Sequence, residues 1–201
     1  MLRVGLTGGL ATGKSFVGKT LAGMGCLWIQ ADALGHEVLA PGGEAHQAVV
    51  AEFGNGILKE DGTVDRGKIA REVFERPDRL AKLNSLVHPP VIRRQEEMLA
   101  EFAACEPNGI AVVEAAILVE TGSHERFDRL IVTRCDEEQQ IERALRRAGA
   151  TREEVLARLR RQMPLDEKVK AADYVVDTSG TKEDTVQQVE RIYESLRSLA
   201  S

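Results

Sequence analysis

The chain has 201 residues, 43% hydrophobic and 29% charged, a balance that suits one compact domain with a buried core and excludes disorder throughout. Its 27 basic and 32 acidic residues leave a net charge of −5, which argues against a nucleic-acid partner, because counterion release needs a strongly basic surface. Cys26, Cys105 and Cys135 are too scattered for a disulfide or zinc framework, and no apolar run approaches the roughly 20 residues that cross a bilayer; the expected setting is the cytoplasm, with no membrane partner.

In chain order, residues 2–7 form a short apolar run that ends at a glycine pair, the pattern of a buried strand. Helical spacing of Phe16, Val17, Leu21 and Met24 predicts a helix over 14–24, with Gly25 as its stop. Further short strands are expected over 26–29, 110–113, 130–133 and 174–176, and helices over 136–147, 151–162 and 182–199. Residues 34–104 read as a long, largely helical insertion with a turn at Glu60-Asp61-Gly62-Thr63. Strands alternating with helices imply an α/β fold, a mostly parallel sheet flanked by helices on both faces. The expected organisation is one domain: a core of 1–33, 105–142 and 165–201, the helical insertion, and an arginine-dense lid over 143–164.

The segment Gly8-Gly9-Leu10-Ala11-Thr12-Gly13-Lys14-Ser15 matches G-x-x-x-x-G-K-[ST] in full. Glycines let the backbone curl so that successive N–H groups point at phosphate oxygens, and the following helix adds the positive end of its dipole. Lys14 would reach the β- and γ-phosphates of ATP, and the Ser15 hydroxyl would ligate Mg2+. The motif follows an expected strand and opens an expected helix, the context a chance match lacks. It is silent on the acceptor.

Asp32 is the first acidic residue after the loop, just past the second strand. Ligands of open parallel sheets collect outside the carboxyl ends of the strands, so Asp32 is a candidate to accept a hydroxyl proton or to hold a metal-bound water. Capping the next helix is the plainer role for the same residue. Asp32-Ala33-Leu34-Gly35 also spells a GTPase switch element, but the chain has no N-K-x-D, and a GTPase is not expected. Prolines in His88-Pro89-Pro90 predict a helix boundary there, with His88 either at a positive helix end or in a solvated turn. Arg143, Arg146 and Arg147 share a helix face; they could neutralise a transferring phosphoryl group or pair with acids such as Glu142. Trp28 and Met163 read as packing residues.

Taken together the chain resembles dephospho-CoA kinases over nearly its whole length. The likeness rests on Leu6-Thr7-Gly8-Gly9 through Lys14-Ser15, Ala31-Asp32, Phe53-Gly54, Asp61-Gly62-Thr63-Val64-Asp65-Arg66, Val73-Phe74 and His88-Pro89. It continues with Ile117-Leu118-Val119-Glu120, Arg143 with Arg147, Gln162, and Ala172-Asp173-Tyr174-Val175. The resemblance implies a P-loop nucleoside-triphosphate-hydrolase-like core with a helical substrate-binding insertion and a lid. It implies transfer of the γ-phosphate of ATP to the 3′-hydroxyl of the ribose of dephospho-CoA, the last step of coenzyme A synthesis. In that reading Asp32, Lys14 and Arg143 are catalytic, and Gly8, Gly9, Ala11, Thr12, Gly13, Lys14, Ser15, Phe16 and Arg147 bind the nucleotide. Asp32, Arg66, His88 and Glu120 meet the acceptor, and Ser15 meets the metal.

Four positions depart from the family's usual pattern. Gln30 stands where a first aspartate is usual, so a magnesium role would pass to Ser15, Asp32 or water. Phe16 replaces a threonine, Ala116 a proline, and Thr178 an asparagine near the adenine. The competing readings are another P-loop kinase, acting on a nucleoside monophosphate or a hydroxy acid, and a non-enzymatic nucleotide switch.

Overall fold

A computed structural model describes residues 1–73, 76–146 and 151–200. The chain divides into two compact units, Met1–Ile29 with Phe102–Ser201, and Gln30–Glu101.

The first unit is built on five strands: β1 (Leu2–Gly8), β2 (Leu27–Gln30), β3 (Ile110–Glu114), β4 (Arg129–Arg134) and β5 (Tyr174–Asp177), in the sheet order β2-β3-β1-β4-β5. β1 runs parallel to both β3 and β4, and β4 parallel to β5. Alternation along the strands feeds both faces, since successive side chains of a strand point to opposite sides. Val4, Leu6, Val112, Ile131 and Val176 lie on one side with Val17 and Leu21 of α1 (Lys14–Gly23) and Val189, Ile192 and Leu196 of α9 (Lys182–Ala200). Leu130 and Val132 lie on the other, with Leu118 and with Leu165 and Val169 of α8 (Leu165–Lys170). Burying each aliphatic side chain contributes roughly 1.5–3 kcal/mol, which is what holds the short strands together. The strand ends carrying the site are thereby fixed from both sides.

Two further helices of this unit, α6 (Glu137–Arg146) and α7 (Arg152–Arg161), pack Ile141, Ala144 and Val155 against Leu10 and Ala11 of the glycine-rich loop. A capping box between Thr151 and Glu154 starts α7. Arg147 lies outside the described residues, as does Phe74.

The second unit holds α2 (Ala31–Leu39), α3 (His46–Phe53), α4 (Arg66–Val73) and most of α5 (Pro77–Cys105) around Val38, Val49, Ile57, Val64 and Ile69. Leu58 and Val64 form an isolated antiparallel bridge across the expected turn, where Lys59 N donates to Thr63 O at 2.9 Å. Asp61 Oδ1 accepts from both the amide and the hydroxyl of Thr63, at 2.9 and 2.6 Å. Asp65 Oδ1 accepts from the amides of Gly67 (2.8 Å) and Lys68 (3.1 Å) at the start of α4. The D-G-x-x-D part of the motif therefore builds a turn and a helix start.

The expected helix boundary at residues 88–90 is not there. α5 continues through Pro89 and Pro90 to Cys105. An interior proline costs a helix about 3 kcal/mol. Leu83, Leu86 and Val87 before the prolines and Val91 after them pack on one apolar cluster, and Pro90 is itself buried. Packing on both sides of the interruption outweighs the lost backbone bonds. No helix among the described residues is long and apolar enough to cross a membrane.

Candidate active site

The loop between β1 and α1 has the conformation its sequence demands. Gly13 lies at φ 84, in the left-handed region. A Cβ on Gly8 would sit 2.3 Å from Thr133 Oγ1 and 2.5 Å from Thr133 O, so only glycine lets β1 pass so close to β4. Ala11, without that freedom, also has φ 55, and its side chain is buried against α6 and α7. Left-handed alanine costs about 1–2 kcal/mol, offset here by the apolar contacts.

Side chains from distant parts of the first unit hold this loop. The Thr12 hydroxyl lies 2.7 Å from that of Thr133 and 3.0 Å from Gly9 O. The hydroxyl of Thr178, just past β5, is 3.0 Å from Thr12 O and 3.1 Å from Arg134 O. Gln162, at the end of α7, accepts the Leu10 amide at 2.9 Å. The Lys14 ammonium donates to Gly9 O at 2.7 Å.

Ser15 donates its hydroxyl to Glu114 Oε1 at 2.8 Å, and Trp28 Nε1–H donates to Glu114 Oε2 at 3.1 Å. Glu114 ends β3 and is buried. The expectation that a metal role would pass to Ser15, Asp32 or water overlooked this carboxylate, and Trp28, expected only to pack, also orients it. The run Ile-Ala-Val-Val-Glu was the available signal: an acid closing a wholly buried strand is costly unless it has partners. Hard oxygen donors of this kind fit Mg2+, which is usually held by one or two protein groups, substrate phosphates and water.

A cleft of about 320 Å3 opens beside the loop, lined by Ala11, Gly13, Phe16, Arg143, Arg146, Thr178 and Lys182 among others. Its size lies at the low end of small-molecule sites, about 300–1,000 Å3. Arg143 Nη1 donates to Thr178 Oγ1 at 3.0 Å and Nη2 to Thr178 O at 2.6 Å, which aims the guanidinium along the cleft edge. Arg146 pairs instead with Glu142 at 3.3 Å on the exposed face. Thr178, at the position expected near the base, is committed to these backbone and arginine bonds. Burial pushes the Cys135 thiol up, with the Arg143 guanidinium pulling the other way, and burial pushes Cys26 up to about 12. Both are therefore held in the thiol form at neutral pH.

Glu120 Oε1 forms an ion pair with Lys168 Nζ at 2.6 Å, and both carboxylate oxygens are buried with no hydrogen-bond partner among the described residues. In the second unit, Asp32 sits in the first turn of α2, and no side chain caps that helix; the N-cap is Gln30. The capping role weighed for Asp32 is therefore not what the structure gives it. Arg66 opens α4 and is exposed, and His88 is exposed on α5.

The family model for dephospho-CoA kinase matches residues 2–184. A dephospho-CoA kinase of Carboxydothermus hydrogenoformans is 41% identical, covering 92% of this chain and 90% of its own length. One of Geobacter metallireducens is 41% identical over 94% of each. Among solved structures, a Thermus thermophilus protein superposes with a TM-score of 0.83 at 31% identity, covering 96% of this chain and 97% of its own.

Proposed function

The chain belongs to the dephospho-CoA kinase family, and from that premise we propose how its residues divide the transfer of the γ-phosphoryl group of ATP to the ribose 3′-hydroxyl of dephospho-CoA. The observation that carries the assignment is the bond from Ser15 to the buried Glu114 at the end of the neighbouring strand. It sets a hydroxyl and a carboxylate side by side at the start of the helix where the triphosphate binds.

In this reading Gly8, Gly9, Ala11, Thr12 and Gly13 present backbone N–H groups to the phosphates. Lys14 exchanges its bond to the Gly9 carbonyl for β- and γ-oxygens. Ser15, with Glu114 behind it, would hold Mg2+, which would supply positive charge to the phosphates. Phe16, Arg143 and Arg147 take the nucleotide side, with Arg143 offering its guanidinium to charge that develops on the leaving phosphates.

Asp32 accepts the proton of the attacking hydroxyl or orients it. Its place in an uncapped first turn, after a strand of the sheet, leaves the carboxylate for that role. Arg66 is the proposed partner of the acceptor's phosphates, which need cationic groups, and His88 and Glu120 are proposed contacts of its hydrogen-bonding groups. The proposed setting is the cytoplasm, with neither nucleic acid nor membrane as a partner.

A coupled assay of ADP release against a panel of acceptors tests this reading. Dephospho-CoA is expected to turn over, and nucleoside monophosphates and hydroxy acids to give background. Turnover on a nucleoside monophosphate with none on dephospho-CoA overturns it.

A further inference from the structure

We propose that Lys168 is a positioning residue for phosphoryl transfer, tying the first residue of the phosphate loop to the end of the strand that carries Glu114. This rests on the reading of the loop as the ATP site.

Lys168 has a fully buried side chain, at 0% exposure, and lysines are almost never fully buried without partners. A buried ammonium costs several kcal/mol unless its donors are met. Its ammonium donates to two carbonyls, Ala116 O at 2.8 Å and Gly8 O at 3.5 Å, and forms an ion pair with Glu120 Oε1 at 2.6 Å. Leu165 and Val169 of the same short helix pack against Leu118, Leu130 and Val132, which anchors the lysine backbone below the sheet end.

Where the carbonyls lie separates this lysine from a simple charge pair. Residue pairing between β1 and β3 ends at Leu6↔Glu114, with one more bond from Ala115 N to Leu6 O. Past that point Gly8 enters the phosphate loop and Ala116 lies two residues beyond Glu114. The bonds joining the two chain segments there are from side chains: Thr7 Oγ1 to Ala116 O at 3.2 Å, and Lys168 to both carbonyls. Lys168 therefore continues the ladder where backbone pairing stops, at the spacing on which the bond from Ser15 to Glu114 depends. A displacement of about 1 Å at such a site can cost on the order of 10²-fold in rate. Glu120 supplies the counter-charge.

The test compares the wild type with Lys168→Met, Glu120→Gln and the double variant, reading MgATP affinity with a fluorescent ATP analogue, turnover on dephospho-CoA, and the thermal midpoint. Lys168→Met leaves Glu120 partly buried and unpaired, so a lower midpoint is expected from charge imbalance alone. Neutralising Glu120 as well relieves that imbalance. The proposal expects the double variant to regain most of the midpoint while MgATP affinity stays down by about tenfold or more. Recovery of affinity along with the midpoint overturns it, as does affinity in Lys168→Met within about twofold of wild type. If Lys168→Met does not fold, the double variant alone decides by the same affinity criterion. Wild type that binds MgATP but does not act on dephospho-CoA would refute the acceptor assignment, while the affinity series would still decide the role of Lys168.

Discussion

The two units use their sequence motifs in opposite ways. In the helical unit, the motif side chains bond within three residues of themselves: Asp61 to Thr63, and Asp65 to Gly67 and Lys68. In the sheet unit the loop is a local signal held by distant residues, with Ser15 on Glu114, Thr12 on Thr133 and Thr178, and Leu10 on Gln162. A turn can be closed by its own neighbours because its job is only to reverse the chain. A phosphate cradle must keep amides aimed at a ligand, and neighbours in sequence cannot brace it from behind. Substitutions of the phosphate-loop side chains that face the ligand are therefore expected to change function more than folding, and those at the helical motif the reverse.

The largest effect is expected for Lys14→Ala, which abolishes turnover while leaving the thermal midpoint of the nucleotide-free protein near wild type, because its hydrogen bonds to Gly8 O and Gly9 O stay within its own loop. A large drop in midpoint would break the distinction between the units. Asp32→Asn comes next and sharpens it. This residue opens the helical unit yet caps nothing, so turnover is expected to fall roughly 10²-fold or more with ATP affinity within a few-fold. Unchanged turnover would remove Asp32 from the chemistry.

Glu114→Gln keeps the shape but removes the charge beside Ser15. A rise of roughly tenfold in the magnesium concentration for half-maximal rate is expected, since Mg2+ favours carboxylate oxygen. An unshifted magnesium titration would leave Glu114 a structural partner of Ser15 and Trp28. Asp65→Ala is the smallest in rate and is read by thermal melting: the midpoint falls by a few degrees while MgATP affinity stays at the wild-type value.

Protonation offers a finer version of the same test. The amides of Lys68 and Gly67 hold the Asp65 carboxyl below the usual carboxylate range, and the Thr63 hydroxyl and amide do the same for Asp61. A group whose pKa is lower in the folded state stabilises above its unfolded value and loses that contribution as pH falls through the folded value. Both contributions are therefore fully present at neutral pH and are lost as pH falls from the usual carboxylate range through the lowered folded values. An Asp65→Ala variant is expected to show a shallower loss of midpoint on acidification through that range than the wild type; parallel curves would remove the cap from the account.

Much of the fold was legible because the relevant forces are local. Short runs of three to six residues marked the five strands, and the spacing of Phe16, Val17 and Leu21 marked α1. Gly25, at φ 96 just past that helix, stopped it as its position implied. The two prolines of α5 misled, because a local rule about backbone donors says nothing of the packing on Val49 and Ile69 that keeps the helix whole.

By itself the sequence determined the phosphate loop, the strand-and-helix alternation and the family, since each is written in neighbouring residues whose backbone geometry has few alternatives. Only the tertiary structure decided that Ser15 answers to Glu114, that Thr178 serves the loop and Arg143, and that a lysine lies buried under Gly8 and Ala116. Those bonds join residues 35 to 166 positions apart, and no local pattern encodes them. They form because parallel packing brings the carboxyl ends of separate strands to one edge, where a charge or hydroxyl taken from water must find its partner among whatever the fold has placed there.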